Sequence, residues 1–481
     1  MSRNEVLPGV LVQRSLHVWR SMALAYLATL LLATHSGRLK AEPLSTDQLG
    51  PAAPIVTDDQ KYPEVEQALA RFQQRDYEGA LARLQEAAKK YPQLAPPRVL
   101  LGRMFQAANQ YQAARAQIEQ AAADDPADPE AYLVLGDFAF QERRIIESEL
   151  LFERAAQLTE PFTGNADRKK SFYVRIHAGL AAVDEARQKW TEAREHLSKW
   201  LELDPDSPNA HQRMGQILFH LDQFDDAYAE LKLAAKKSDQ FPYPAVSLAR
   251  LYEQAGRRDD ARKYMLEALR EAPKDLKTRL AVAEWLWQTN QLSDARKQAE
   301  EAVKLAPDSL EAKLLAGVIA RYMKHYSAAR QYFESAHLMS PGNFVATNQL
   351  ALVLIEDPDE SNRKMAVDLA ERNFRQAPNS PDAAATLGWV YFKSNRMEEA
   401  ANALKVAQQR AGGRVSNETA YFMASVAYER GQANEARMLL DYALKVTGPF
   451  AYRADAERLL ASAGGPAAPT TQPAPAESTT P

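Results

Sequence analysis

The chain has 481 residues, no cysteine, and a formal net charge of -4 at pH 7 from 59 Lys and Arg against 63 Asp and Glu. Without cysteine there are no disulfides, no thiolate metal site, no cysteine nucleophile and no lipid-modified cysteine anchor. Near charge balance lacks the basic footprint of a nucleic-acid binder, and a hydrophobic share of 46% with 25% charged residues suits a large packed core.

In chain order, residues 22–33 form an almost unbroken apolar run preceded by Arg14 and Arg20. It is short of the roughly 20 residues that span a bilayer, which predicts that residues 1–41 are a secretory signal peptide. Cleavage could follow Ser36 or Ala41, but Leu39 is large for its place and Arg38 and Lys40 are charged where export prefers few charges. An uncleaved N-terminal membrane anchor through residues 22–33 therefore stands as the alternative. Residues 42–60, with Pro43, Pro51 and Pro54 and no helical period, read as a linker.

From residue 61 to 450 one pattern recurs. Leu101-Gly102, Leu135-Gly136, Met214-Gly215 and Leu387-Gly388 are followed twelve residues on by Ala114, Ser148, Ala227 and Ala400, and four further on by Ile118, Phe152, Leu231 and Leu404. Counting the small residue as place eight, units start near residues 61, 95, 129, 174, 208, 242, 276, 310, 344, 381 and 417. Within a unit the apolar positions fall on two short helices. In the second, Leu101, Phe105 and Ala108 share a face, Tyr111, Ala114, Ile118 and Ala121 share the next, and Asn109 supplies the turn. Small residues at places eight and twenty predict a close approach of the two helices, while Pro92, Pro126, Pro205, Pro273, Pro341 and Pro378 punctuate the unit ends.

A period of 34 with small residues at places eight and twenty, a bulky one at twenty-four, Ala near twenty-seven and Pro near thirty-two resembles the tetratricopeptide repeat. The resemblance implies an all-α, right-handed superhelical solenoid of about eleven helix-turn-helix units, in which each unit buries its apolar stripe against its neighbours. Three insertions interrupt the phase: 163–173, 357–362, and Gly412-Gly413. The first carries Gly164, Asn165 and Asp167 and then the basic Arg168, Lys169 and Lys170. It reads as a solvated loop, or else as a projecting contact for an acidic partner. Residues 451–463, with Tyr452, Ala456, Leu459 and Leu460 on one stripe, predict a capping helix. The Pro, Thr and Ala-rich stretch 464–481 buries too little apolar surface to order itself.

No catalytic chemistry is legible. The eight histidines show no metal-ligand spacing and are read as not converging, and no phosphate-binding glycine loop or nucleophile elbow occurs. The acidic pairs Asp124-Asp125, Asp225-Asp226 and Glu398-Glu399 read as turn or helix-start residues. No catalytic residue, cofactor or metal is expected. Places two, five, nine and twelve of each first helix form a stripe apart from the packing stripe, and the resemblance implies that this stripe lines a partner-binding groove. Read out over the central units it gives Gln212, Gln216, Phe219, Arg250, Trp287 and Arg321, with the two aromatics as candidate anchors. The Lys and Asn pair with which some members hold a C-terminal carboxylate is absent, since those places hold Val65, Val99, Leu133, Leu69, Arg103 and Asp137. The expected function is a non-catalytic scaffold or adaptor that binds a protein or peptide along the groove. Its expected setting is the periplasm or another part of a bacterial cell envelope, or else a membrane-anchored subunit of an enzyme or export complex. Nucleic acid is not an expected partner.

Overall fold

The computed structural model describes residues 62–445 and 448–464. The signal-like segment, the linker and nearly all of the C-terminal tail lie outside them. The described residues hold 23 helices and no strands. They divide into an N-terminal compact unit ending at Ala268 and a C-terminal one beginning at Leu269.

Helices come in pairs of a first and a second member, beginning with α1 (Pro63–Gln73) and α2 (Tyr77–Lys90), then α3 (Pro97–Ala107) and α4 (Tyr111–Asp124). Most first helices start where local chemistry dictates. Pro208 and Pro381 occupy first-turn positions that need no N–H donor, and Ser207 and Ser380 cap the same helices through their hydroxyls. The turn within a unit is equally regular. Arg75, Asn109, Arg143, Gln188, Asp222, Gly256, Asn290, Lys324, Asn395 and Gly431 all have positive φ, and each stands at place fifteen of its repeat. There the chain closes the first helix through a left-handed residue, as where Asn109 N–H donates to the Gln106 carbonyl and Gln110 N–H to that of Phe105.

The close approach at places eight and twenty is present. A Cβ on Gly102 would fall 2.6 Å from Ile118 Cδ1, one on Gly136 2.8 Å from Phe152 Cε1, and one on Gly388 2.6 Å from Leu404 Cγ. Ser148, facing Gly136, satisfies its hydroxyl by donating to the Gly136 carbonyl at 2.9 Å. The partner residues at place twenty-four, Ile118, Phe152, Leu231 and Leu404, are all buried.

The first of the three insertions differs from the sequence expectation. Residues 166–173 are helix rather than loop: they extend α7 (Ala166–Ala186) to 21 residues, with Asn165 as its cap. Arg168 projects to no outside partner. It is 7% exposed and donates to Asp128 and Glu130 at 2.9 Å each, so the acidic partner is the chain's own third repeat. The residues inserted at 357–362 enter α18 (Glu360–Gln376), which starts six rather than three residues before its buried seam residue Ala366 and runs to 17 residues. Gly412 and Gly413 adopt positive φ and form a turn after α20 (Met397–Arg410). At the C-terminus α23 (Arg453–Ala463) packs on α22 (Ala433–Lys445). Tyr452 and Ala456 are buried there and Leu459 and Leu460 partly so. Tyr452 stacks on Tyr421 at 5.1 Å and meets Trp389 edge-on at 5.5 Å.

Of the acidic pairs, Asp225-Asp226 and Glu398-Glu399 lie in first turns. Asp124-Asp125 instead ends α4, against the helix dipole, and Asp124 is held by Arg98 at 2.6 Å. No described helix is long and apolar enough to cross a membrane.

Candidate partner-binding surface

Two first helices of the N-terminal unit, α9 (Pro208–His220) and α11 (Pro244–Gln254), border a cleft of about 330 Å³. Gln212 and Gln216 enter it from α9, and Ser247, Arg250, Leu251 and Gln254 from α11. Gln212 and Gln216 are four apart, and Ser247, Arg250 and Gln254 three or four apart, which places each set on one helix face. Gln212 and Gln216 are half-buried and Arg250 is exposed. Throughout the described residues, neither amide nor the guanidinium has a hydrogen bond or ion pair with another side chain. At the rim, His220 stacks on Trp190 with ring centroids 4.0 Å apart and planes 5° from parallel.

The other three residues of the expected stripe are buried. Phe219 is 6% exposed and packs edge-on against Phe224 and Tyr252 at 5.3 and 4.9 Å. Arg257 lies over the rings of Phe224 and Tyr252 at 4.8 and 4.7 Å. Trp287, in α13 (Leu276–Gln288) of the C-terminal unit, is 5% exposed and meets Tyr322 edge-on at 5.3 Å. This corrects its reading as an exposed anchor. Arg321, in α15 (Leu310–Tyr322), is 2% exposed, so it is no rim residue. Its Nη2 donates to both carboxylate oxygens of Glu418 at 3.0 and 3.2 Å, and its guanidinium lies 4.9 Å from the Tyr322 ring centre. The Glu418 carboxylate raises the Arg321 pKa against the cost of burial, and burial raises that of Tyr322. Place twelve stands near the end of the first helix, where a large side chain reaches the next unit's first helix: Phe219 reaches Tyr252, and Trp287 reaches Tyr322. Burial against that neighbour makes these residues cement between repeats.

Two charged or polar arrangements were missed in the sequence. One is an ion-pair network in which Arg103 donates to Glu130 at 2.6 Å, Arg168 holds Glu130 and Asp128, and Arg175 holds Asp137 at 2.9 Å. Its signal was available, because opposite charges alternate between place nine of one repeat and place two of the next: Arg103 with Glu130, Asp137 with Arg175. The other is histidine convergence. His177 Nδ1 and His196 Nδ1 stand 3.1 Å apart, against the expectation that no histidines meet. Among the described residues no group of three or more His, Cys, Asp or Glu side chains could hold a metal ion.

Successive helix pairs, a left-handed turn at a recurring place and a small-residue seam define an α-solenoid of helix-turn-helix repeats. Family models described as tetratricopeptide repeat match residues 71–138, 184–251, 245–275 and 280–343. The chain is a tetratricopeptide repeat protein. No curated protein is significantly similar to it in sequence. Among solved structures it is similar to pilF of Pseudomonas aeruginosa, with 22% identity over 45% of this chain and 93% of that one and a TM-score of 0.33. It is also similar to the Cut9-Hcn1 hetero-tetramer of the APC/C, with 12% identity, 82% and 88% coverage and a TM-score of 0.37. A third likeness is to YrrB, described as a tetratricopeptide repeat protein with an unusual peptide-binding site, with 20% identity, 37% and 90% coverage and a TM-score of 0.27.

Proposed function

We propose that the protein is a non-catalytic interaction scaffold whose α9 and α11 face takes up a protein or peptide segment, and that it works in a bacterial envelope assembly. One observation carries the binding face: Gln212, Gln216 and Arg250 converge on the cleft with their polar groups unengaged. Other charged groups on first helices are spent internally, as in the pairs of Arg103 with Glu130 and Arg321 with Glu418. Primary amides both donate and accept, so Gln212 and Gln216 suit the main chain of an extended segment, and Arg250 suits a carboxylate or carbonyl group. The envelope setting rests on the apolar run 22–33 behind Arg14 and Arg20.

The test compares envelope-fraction pull-downs by the unaltered protein and by a Gln212→Ala, Gln216→Ala, Arg250→Ala variant. All three side chains are half-buried or exposed, so the variant is expected to melt like the parent. Loss of a captured protein by at least tenfold supports the face, whereas equal capture places the partner elsewhere. Sequencing the mature N-terminus tests the setting: a start near Gly37 or Glu42 supports export with cleavage, and retention of residues 22–33 supports the anchored alternative.

A further inference from the structure

In the N-terminal unit the ion pairs between first helices join neighbouring repeats, as Arg103 to Glu130 and Asp137 to Arg175. That is the rule for a solenoid, in which a repeat touches the next one. The C-terminal unit departs from it. Arg321, at place twelve of the eighth repeat, holds Glu418, at place two of the eleventh and in α21 (Asn417–Glu429), across ninety-seven residues. In the turn that follows Arg321, Lys324 reaches Asp455 of α23 at 2.7 Å, 131 residues away. The stripes of two repeats three places apart are therefore in contact. Tyr452 covers the stripe of the repeats next to the cap, stacking on Tyr421 at place five of the eleventh and meeting Trp389 at place nine of the tenth.

We propose that the stripe of the tenth and eleventh repeats is a second, latent binding surface, filled in this state by the chain's own Tyr452 and Asp455. The partner it fits is a protein segment that starts a helix with an aromatic ring and places a carboxylate three residues later. The internal occupant shows what the surface accepts. Its ring lies against Tyr421, Trp389 and Phe422 with centroids 5.1, 5.5 and 5.5 Å away, and its carboxylate answers the Lys324 ammonium. That occupant is also lightly held. Of the eleven residues of α23, Ala456 and Ala463 alone are buried. The chain enters it through Gly448, whose φ of 128° suits glycine and which has nothing within 4 Å of a Cβ. Its remaining ties run to α22 and its C-terminal neighbourhood, where Arg437 donates to the Ala463 carbonyl and Arg453 to that of Leu444. A segment held by one ring and a few exposed polar contacts opens locally while the repeat beneath it stays folded. This surface does not rest on the reading of the cleft at Gln212 and Arg250.

The test uses the full chain and, as probe, a fluorescein-labelled peptide of residues 449–464. In the unaltered chain, hydrogen exchange should be at least tenfold faster in α23 than in α21, because the cap opens without the eleventh repeat. Tyr452→Ala combined with Asp455→Ala should free the surface, so this variant binds the peptide at least tenfold more tightly than the unaltered chain does. A peptide carrying the same two substitutions should not bind. Exchange in α23 no faster than in α21, or equal peptide binding by the variant and the unaltered chain, overturns the proposal. Circular dichroism shows whether the variant is folded. If it is not, Lys324→Glu, which leaves the aromatic cluster intact and sets a like charge against Asp455, takes its place. It should speed exchange in α23 about fivefold and leave α21 unchanged, and no change in α23 likewise overturns the proposal.

Discussion

Replacing Gly215 by leucine tests the small-residue seam on which every repeat depends. A Cβ at this position would stand 2.8 Å from Leu231 Cγ and 3.0 Å from the Ala227 carbonyl oxygen. Leu231 is 1% exposed and so has no open space to retreat into, and the carbonyl belongs to the backbone of α10 (Phe224–Lys237). Four added carbons, the first already too close, put the overpacking cost near the upper end of the usual range, about 3 kcal/mol. Leucine's better helix propensity returns about 1 kcal/mol, leaving a net loss of about 2 kcal/mol. Because repeat arrays unfold in neighbouring blocks, the informative assay is hydrogen exchange resolved by segment, alongside a urea melt. Protection should fall first in α9 and α10 and in the helices packed on them. Gly342 has nothing within 4 Å of a Cβ and a φ outside the left-handed region, so Gly342→Ala is the control and should change stability by less than about 0.5 kcal/mol. Undiminished protection of α9 and α10 in Gly215→Leu would refute the close approach and, with it, the phase of the repeat.

Trp287→Ala should act on stability rather than on partner binding, with a loss of about 3 kcal/mol or more on thermal melting, because the ring is buried against Tyr322. Arg321→Ala strands the Glu418 carboxylate and should cost about 3–5 kcal/mol. Arg321→Met combined with Glu418→Leu should recover most of that, and a double variant as unstable as Arg321→Ala would contradict the ion-pair explanation. His177 is held neutral when folded, at about 4 against 6.5 when unfolded, so the unfolded chain takes up the proton first as pH falls. Its contribution is full above pH 6.5 and is lost between there and pH 4. The whole shift is worth about 3 kcal/mol, reduced to about 1–2 by the solvent screening of a half-exposed pair. Urea melts of the parent and of His177→Gln across that window should converge as pH falls, and parallel profiles would remove the imidazole pair as their cause.

The helix pairs and their phase were legible along the chain because they are local. Gly or Ala at place eight, Ala or Ser at twenty and an apolar residue at twenty-four recur at fixed spacing, and the left-handed turn residue at place fifteen follows from the same count. Partnership across repeats was not legible, since it joins residues tens of positions apart and depends on how far each side chain reaches. Arg168 reads as part of a basic loop, yet it is helical and buried on Asp128 and Glu130, forty and thirty-eight residues away. Arg321 and Trp287 share a stripe with Gln212 and Gln216 by count alone, but Arg321 is paired with Glu418, ninety-seven residues on, and Trp287 is covered by Tyr322. Periodicity therefore determined which face of each first helix is free of its own unit's packing. Only tertiary packing decided where that face stays open, at Gln212, Gln216 and Arg250, and where a large aromatic or a charged partner from a neighbouring repeat closes it.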